Sequence, residues 1–322
     1  LGNGKIDSSN GEADREDVKV TIQFAVEGHQ SLNARSTTFA RQTRLVSKYI
    51  EEPQTNFYHL RVNLGFLLVL YYRNPAQLLF RLAVNFLFGL FLGATFYQLN
   101  DVLALSGLFY YSVVMLQLLP FASTSTFIDD RRHSHELIER GVVRLAPHNI
   151  AITFIEAGIS MFQGYLFTVP MYLLCGLTNS PHAFWQTVAL MSLSQLAGSK
   201  VIHVVTIVTP NQDLAFLMGA VIVGMCQQIA GFIVRLDELA GWVRPFSYVD
   251  IVRYAYQALL LIHFKDAYIP SSDDPYLPVS GNEFLKELDY DHPSLGYCFL
   301  FIVCFCLFLD VIGYLFLRFT LY

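Results

Sequence analysis

Residues 73–99 form one long apolar run, RNPAQLLFRLAVNFLFGLFLGATFYQL, which opens with a charge and a proline. A helix needs about 20 apolar residues to cross roughly 30 Å of hydrocarbon at about 1.5 Å per residue, and this run supplies them. The run therefore predicts a transmembrane helix. The chain is therefore predicted to reside in a membrane.

Similar runs follow along the chain, and backbone polar groups in lipid have to be satisfied within each segment. We therefore predict an all-α, polytopic membrane protein with six transmembrane helices. The predicted spans are 78–99, 102–126, 149–177, 183–208, 214–234 and 297–319.

The composition agrees with a membrane protein and argues against other classes. Hydrophobic residues make up 54% of the chain, and the mean hydropathy is +0.42, well above the range of ordinary soluble domains. The net charge of −5 lacks the basic excess that nucleic-acid binding requires, so no nucleic-acid partner is expected. The five cysteines lie in or beside predicted spans without metal-site spacing, so we expect them only to pack.

The first 53 residues are polar and cannot bury enough apolar area to offset their chain entropy. We predict a disordered cytosolic linker over 1–53 and a transmembrane domain over 54–322. Within 56–72, apolar residues recur at helical spacing, which favours a helix lying in the membrane interface. A helix packed on protein is the alternative. Because the chain starts at Leu1 without a methionine, we also expect a longer polypeptide upstream.

Basic residues set the predicted orientation, because cytoplasmic loops carry an excess of lysine and arginine. One group precedes the first span and the other separates the second span from the third. The two groups are Arg35, Arg41, Arg44, Lys48, Arg61 and Arg73, and Arg131, Arg132, Arg140 and Arg144. Both regions are predicted to be cytoplasmic, as is the N-terminus. The acidic segment 265–291 is predicted to be an external loop.

The segment 235–264 is too charged for a simple span but keeps regularly placed apolar anchors, among them Leu239 and Trp242. Two short helices broken near Pro245 would satisfy both properties. We predict that they form a re-entrant segment that caps the external end of the bundle, since irregular backbone at that depth needs cover from protein or water.

Three segments resemble the membrane domain of ABC transporters of the G subfamily, the group of pigment-precursor, sterol and multidrug half-transporters. The first segment holds the RNP triplet at 73–75 and the GLxxG pattern that starts at Gly89. The second is the stretch 129–158, with the pair Asp130 and Arg131 followed by Glu139, Gly141 and Glu156. The third is 230–264, in which Phe232 and Ile233 occupy the place of the family's apolar plug.

The resemblance implies a homodimer or heterodimer that moves hydrophobic or amphipathic molecules, such as lipids, sterols or xenobiotics, along one path between protomers. ATP and Mg²⁺ would bind a nucleotide-binding domain that is missing from this chain, in cis or in trans, and the chain itself is expected to bind no cofactor. The substrate path would include Leu118, Phe121, Phe232 and Ile233. Coupling to the missing domain would use Asp130, Arg131, Glu139 and Gly141.

Polar residues inside the spans are further candidates, because such residues face a bundle interior or water. They are Glu156, Ser192, Gln195, Ser199, Lys200, His203 and Gln227. We predict that Glu156 is a conformational latch that pairs with Arg131, Arg132 or Arg144. The polar face from Ser192 to His203 lines a cavity or forms an interhelical hydrogen-bond seam.

Two functions from other classes stay open at this point. An ion- or proton-coupled carrier would use Glu156 and Asp310 as relays, and a non-transporting membrane subunit would only stabilise an active protomer. No catalytic residues are apparent. Gly4 and Lys5 are followed by Ile6, which does not fit a phosphate-binding loop. The protein is expected to be integral to the plasma membrane or an internal membrane.

Overall fold

The computed structural model describes the chain from residue 56 onward, with short gaps. The described residues are 56–73, 75–98, 101–139, 143–177, 180–265, 268–269, 279–288, 290 and 293–321. The predicted linker over 1–53 lies outside them. Gly141, one of the predicted coupling residues, also lies outside them.

The described part of the chain is built from α-helices. They are α1 Asn56–Arg73, α2 Pro75–Thr95, α3 Val102–Leu118, α4 Thr124–Glu139, α5 Leu145–Cys175, α6 Pro181–Val208, α7 Gln212–Ile229, α8 Arg244–Ser247, α9 Ile251–Phe264, α10 Gly281–Glu287 and α11 Leu295–Leu321. A 3₁₀ turn at Leu119–Ser123 joins α3 to α4. Two residue pairs, β1 Tyr268–Ile269 and β2 Val279–Ser280, form a short antiparallel ribbon.

Within the described ranges, six helical stretches are long and apolar enough to cross a membrane. They are Pro75–Thr95, Val102–Ile138, Leu145–Cys175, Pro181–Val208, Gln212–Ile229 and Leu295–Phe319. Many large apolar side chains on α2, α7 and α11 are exposed on the surface of the bundle. Such exposure is unfavourable in water but not in contact with lipid. The fold is that of an all-α, polytopic membrane protein, as predicted.

Short polar side chains fix where three helices begin. Asp101 accepts a hydrogen bond from the Ala104 amide (3.3 Å) at the start of α3. Ser180 accepts one from the Ala183 amide (3.3 Å) at the start of α6. Asp250 accepts bonds from the Val252 and Arg253 amides (3.0 and 3.2 Å) at the start of α9. Each cap satisfies amide groups that the first helical turn leaves unpaired.

The fifth span ends at Ile229, so the prediction that it continues to residue 234 is wrong. The chain turns at Gly231, whose φ of +97° disfavours any residue with a Cβ atom. A Cβ at this position would lie only 1.9 Å from the Tyr290 hydroxyl oxygen. That hydroxyl donates to the Ala230 carbonyl oxygen (2.7 Å), so the turn is held by a residue 60 positions later in the chain.

Two short helices follow this turn, as predicted, but the predicted break near Pro245 is wrong. Pro245 lies in the first turn of α8, where the missing amide hydrogen costs nothing. The break comes at residues 248–250, and α9 begins after it. Almost every side chain of α9 is buried, and the helix contacts α3, α6 and α11.

Helix α6 is the central element, with neighbours on most of its faces, and α5 carries α1 and α2 along its length. In α1, Leu67 packs with Ala151 and Ile155 of α5, whereas Phe57 and Tyr72 are exposed. One face of α1 is therefore packed on protein and the other is free for the membrane interface. The end of the bundle that carries α4 and the turn before α5 is called the α4 end below.

Candidate functional site

A buried ion pair joins α2 to α5 near the α4 end. The Arg81 guanidinium donates from both terminal nitrogens to the Glu156 carboxylate, with distances of 3.1 Å to Oε1 and 2.8 Å to Oε2. Arg81 is 2% exposed and Glu156 is 4% exposed. Because the guanidinium can only donate hydrogen bonds, this bidentate contact requires both carboxylate oxygens to accept, so Glu156 is ionised. The pair therefore places one charge of each sign in the core.

Tyr71 of α1 extends this pair to α4. Its hydroxyl donates to Glu156 Oε1, and its oxygen lies 3.4 Å from Asp130 Oδ2. Burial, followed by the charges of Glu156 and Asp130, raises the pKa of Tyr71 above its ordinary value, so the phenol keeps its proton. Tyr71 thus stands between two carboxyl groups as a bridge from α4 to α1 and α5.

Arg131, the next residue along α4, faces a different helix. Its guanidinium donates to the carbonyl oxygens of Thr206, Ile207 (3.0 Å) and Thr209 (2.6 Å) at the end of α6. These carbonyls lack partners within the helix, and a cation also favours the negative end of the helix dipole. Asp130 and Arg131 together tie α4 to α1, α5 and α6.

The predicted pairing of Glu156 with Arg131, Arg132 or Arg144 is wrong, because Arg81 of α2 takes that place. Sequence reasoning passed over Arg81, although it is the single charged residue in the run 78–99. Charged residues inside spans tend to pair with each other. A lone arginine in one span could therefore have been predicted to pair with the lone glutamate in another. Glu139 ends α4, and its coupling role and that of Gly141 stay predictions.

A second ion pair joins α6 to α11. Lys200 Nζ donates to Asp310 Oδ1 at 2.6 Å, and Thr153 of α5 lies 3.4 Å from the same oxygen. Lys200 was predicted as an intramembrane polar residue, and the structure supplies its partner. Both carboxylates that a proton-coupled carrier would use as relays, Glu156 and Asp310, are thus bound to cations.

The four polar residues predicted on one face of α6 have different surroundings. Ser192, Gln195 and Ser199 are buried in the core, and the Gln195 amide has no hydrogen-bond partner within the described ranges. His203 instead lines a cavity at the α4 end and stacks obliquely on Phe127 at 5.1 Å.

One interhelical hydrogen bond between α3 and α6 uses a neighbouring residue, Ser194. Gln117 of α3 donates to the Ser194 carbonyl oxygen at 3.1 Å, and its side-chain nitrogen also lies 3.1 Å from the Ser194 hydroxyl. On α7, the Gln227 carbonyl oxygen accepts from the Tyr110 hydroxyl at 2.8 Å. Sequence periodicity marked the correct helix but not the face that meets α3.

The predicted path residues lie at opposite ends of α7. Phe121 meets Phe216 edge to face at 5.2 Å near the start of α7, and Leu118 is partly exposed beside the 3₁₀ turn. Phe232, beyond the end of α7, stacks on Tyr110 at 4.5 Å, whereas Ile233 is exposed. Their roles in transport stay predictions.

Known proteins are similar to this chain in sequence. Residues 58–264 match the family described as ABC-2 type transporter. ABC transporter G family member 22 of Dictyostelium discoideum is 27% identical over 192 residues, which cover 58% of this chain and 31% of that protein. Member 7 of the same organism is 24% identical over 251 residues, 76% of this chain and 30% of that protein.

A plant relative gives the same result. ABC transporter G family member 5 of Arabidopsis thaliana is 23% identical over 235 residues, which cover 71% of this chain and 36% of that protein. The chain thus spans about a third of the length of these relatives. Because the family match covers more than half of the chain, the chain belongs to the ABC-2 type transporter family, as an integral membrane domain of the G-subfamily kind.

Proposed function

We propose that this chain is the membrane half of an ATP-driven exporter of hydrophobic or amphipathic molecules that works by alternating access. A nucleotide-binding module, in the same polypeptide or a separate one, would bind ATP and Mg²⁺ and act on the α4 end. Two membrane domains, identical or different, would enclose the path. The basic residues near α4 favour a cytoplasmic α4 end.

The attachment of α4 is the observation that carries the proposal. Asp130 approaches Tyr71, and Arg131 caps α6, so a displacement of α4 acts on α1, α5 and α6 together. Packed helices move as rigid units between discrete arrangements, which converts a small push at one end into a change of the whole bundle. This is the connection that coupling to an ATPase module requires.

The ion pairs favour this function over a proton- or ion-coupled carrier. A relay carboxylate has to change its charge during the cycle, but Glu156 is held by the Arg81 guanidinium and Asp310 by the Lys200 ammonium. An adjacent cation stabilises the ionised form of a carboxyl group. The two groups therefore suit a mechanical latch better than a proton carrier.

Reconstitution tests the function directly. The chain and its nucleotide-binding module are placed in liposomes, and uptake of a rhodamine dye and of a fluorescent phosphatidylcholine is followed. We expect uptake with hydrolysable ATP and none with a proton or sodium gradient alone. Uptake driven by a gradient without ATP would support the secondary carrier. In a heterodimer, transport that depends only on the other protomer would support the alternative that this chain is a non-transporting subunit.

Replacing Glu156 with glutamine is expected to uncouple transport from ATP hydrolysis. The substitution keeps the shape of the side chain but removes the charge that holds Arg81 and Tyr71. Transport per ATP should fall by about five- to tenfold, a typical coupling free energy of ~1–1.4 kcal/mol. The KM for transport should change much less. The exposed Glu238→Gln provides the control, and an unchanged ratio of transport to ATP in Glu156→Gln would refute the latch.

Replacing Phe232 with alanine is expected to accelerate passage of the dye or to make it leak without ATP. The substitution removes the stack on Tyr110, and an aromatic pair is worth about 0.5–1.5 kcal/mol, or about two- to twelvefold in rate. Dye efflux from loaded liposomes measures the effect. Phe246→Ala, at an exposed position of α8, is the control. A wild-type rate in Phe232→Ala would count against a plug.

A further inference from the structure

A small cavity lies at the α4 end, between α4, α5, α6 and α11, and several polar side chains contribute to its lining. Asp130, Ser134, His148 and His203 line it together with apolar side chains. Its volume is about 30 Å³, and one water molecule requires only about 10–15 Å³ by the same measure. This region, the α4 cavity, is large enough for water, and α4 contributes Asp130 and Ser134 to its lining.

The hydrogen bonds of His148 indicate that the α4 cavity holds water. The Ser134 hydroxyl donates its one hydrogen to the Asp130 carbonyl oxygen, so its oxygen is left to accept from His148 Nε2 at 2.7 Å. The neutral ring then carries its proton on Nε2, and Nδ1 is an acceptor. His148 is 3% exposed, and its Nδ1 has no partner in the part of the chain described. A buried acceptor of this kind is normally satisfied by water.

The contact between Tyr71 and Asp130 depends on the protonation of Asp130. The single phenol hydrogen of Tyr71 is used by Glu156, so an ionised Asp130 meets the Tyr71 oxygen acceptor to acceptor at 3.4 Å. A protonated Asp130 has a hydrogen to donate to that oxygen. Protonation would complete a chain of hydrogen bonds from Asp130 through Tyr71 to Glu156 and Arg81.

The charges around Asp130 act in both directions. Glu156, on the far side of Tyr71, repels an ionised Asp130, whereas the Arg81 guanidinium attracts it. The titratable and charged groups that face Asp130 come from every neighbouring helix. They are Tyr71 of α1, Arg81 of α2, Asp129 of α4 and Glu156 of α5, and around the α4 cavity Arg131, His135, His148 and His203.

We propose that Asp130 is a proton-binding site, that the α4 cavity supplies it with protons from the side of the ATPase module, and that proton binding fastens α4 to α1 and α5 through Tyr71. The sidedness rests on the proposed function. At low pH on that side, α4 is held against the bundle. At high pH the ionised Asp130 loses this bond, and α4 is less firmly attached to α1 and α5.

Hydrogen exchange of the α4 peptide, residues 124–139, tests the fastening in the assembled transporter in lipid nanodiscs. Variants are compared at the same pH, because the chemical exchange rate itself depends on pH. Asp130→Asn supplies a permanent donor, so at about pH 8 its α4 should exchange several-fold more slowly than that of the wild type. At a pH low enough to protonate wild-type Asp130, the two should coincide.

Two further variants make this result specific. Asp129→Asn removes the neighbouring, exposed carboxylate and should behave like the wild type at both pH values. Asp130→Asn combined with Tyr71→Phe removes the acceptor and should lose the added protection. Equal exchange in wild type and Asp130→Asn at about pH 8 would overturn the proposal, as would protection that survives Tyr71→Phe.

Thiol labelling tests the water in the α4 cavity separately. Ile138→Cys places a thiol in the cavity lining, and a charged, membrane-impermeant reagent should modify it from the side of the ATPase module. Phe154→Cys, on the exposed apolar face of α5, is the control and should not react above the background of the native cysteines. An unreactive Ile138→Cys would exclude water access. Neither measurement uses transport, so either proposal can fail while the other holds.

Discussion

Replacing Arg81 with methionine is expected to lower the free energy of unfolding by about 3–5 kcal/mol, the usual cost of removing one partner from a buried ion pair. The Glu156 carboxylate would lose both guanidinium bonds while staying 4% exposed. Tyr71 alone cannot satisfy it. The change should appear as a large fall in the melting temperature of the purified protein in detergent and in the yield of folded protein.

The double variant separates the buried charge from simple loss of packing. Arg81→Met together with Glu156→Leu removes both charges, and replacing a buried pair with apolar residues is often neutral or stabilising. We expect the double variant to recover most of the melting temperature. Arg244→Met, at an exposed position, should leave it unchanged. A single variant as stable as the wild type would mean that the ion pair is not important for the fold.

Replacing Gly89 with alanine is expected to disrupt the packing of α2 on α5. The added Cβ would lie 2.2 Å from the Phe167 carbonyl oxygen, and backbone cannot move aside as a flexible side chain does. The two helices would have to separate along their contact. We expect a loss of at least about 1–3 kcal/mol, the range for overpacking a filled core, and a larger loss for valine.

Gly158→Ala is the matched control for this substitution. Gly158 lies on α5, and a Cβ there would meet nothing within 4 Å. Alanine is favoured over glycine in a helix by up to about 1 kcal/mol, so this variant should be neutral or slightly more stable. The test compares the melting temperatures of Gly89→Ala and Gly158→Ala in the same detergent. Equal stability would show that α2 and α5 do not approach as closely as the structure has them.

The family resemblance marked Gly89 as part of a motif but did not explain why a glycine is needed there. The close approach of α2 to the α5 backbone explains it. Its missing side chain lets two backbones touch, and small residues serve this purpose widely between membrane helices. The same limit applied to Glu156. A single intramembrane carboxylate could be recognised as important, but its partner depended on which helix lies beside α5.

The sequence by itself determined the membrane class, the six spans and most of their boundaries, because hydrocarbon thickness and helix rise fix the length of an apolar run. Caps such as Asp101 and Ser180 are also local, because they act within one turn of their own helix. Only the tertiary structure decided that Glu156 pairs with Arg81, that Arg131 caps α6, and that Tyr290 bonds the turn after α7. These contacts join segments far apart in the chain. Because side chains reach only a few ångströms, these contacts depend on which helices lie side by side.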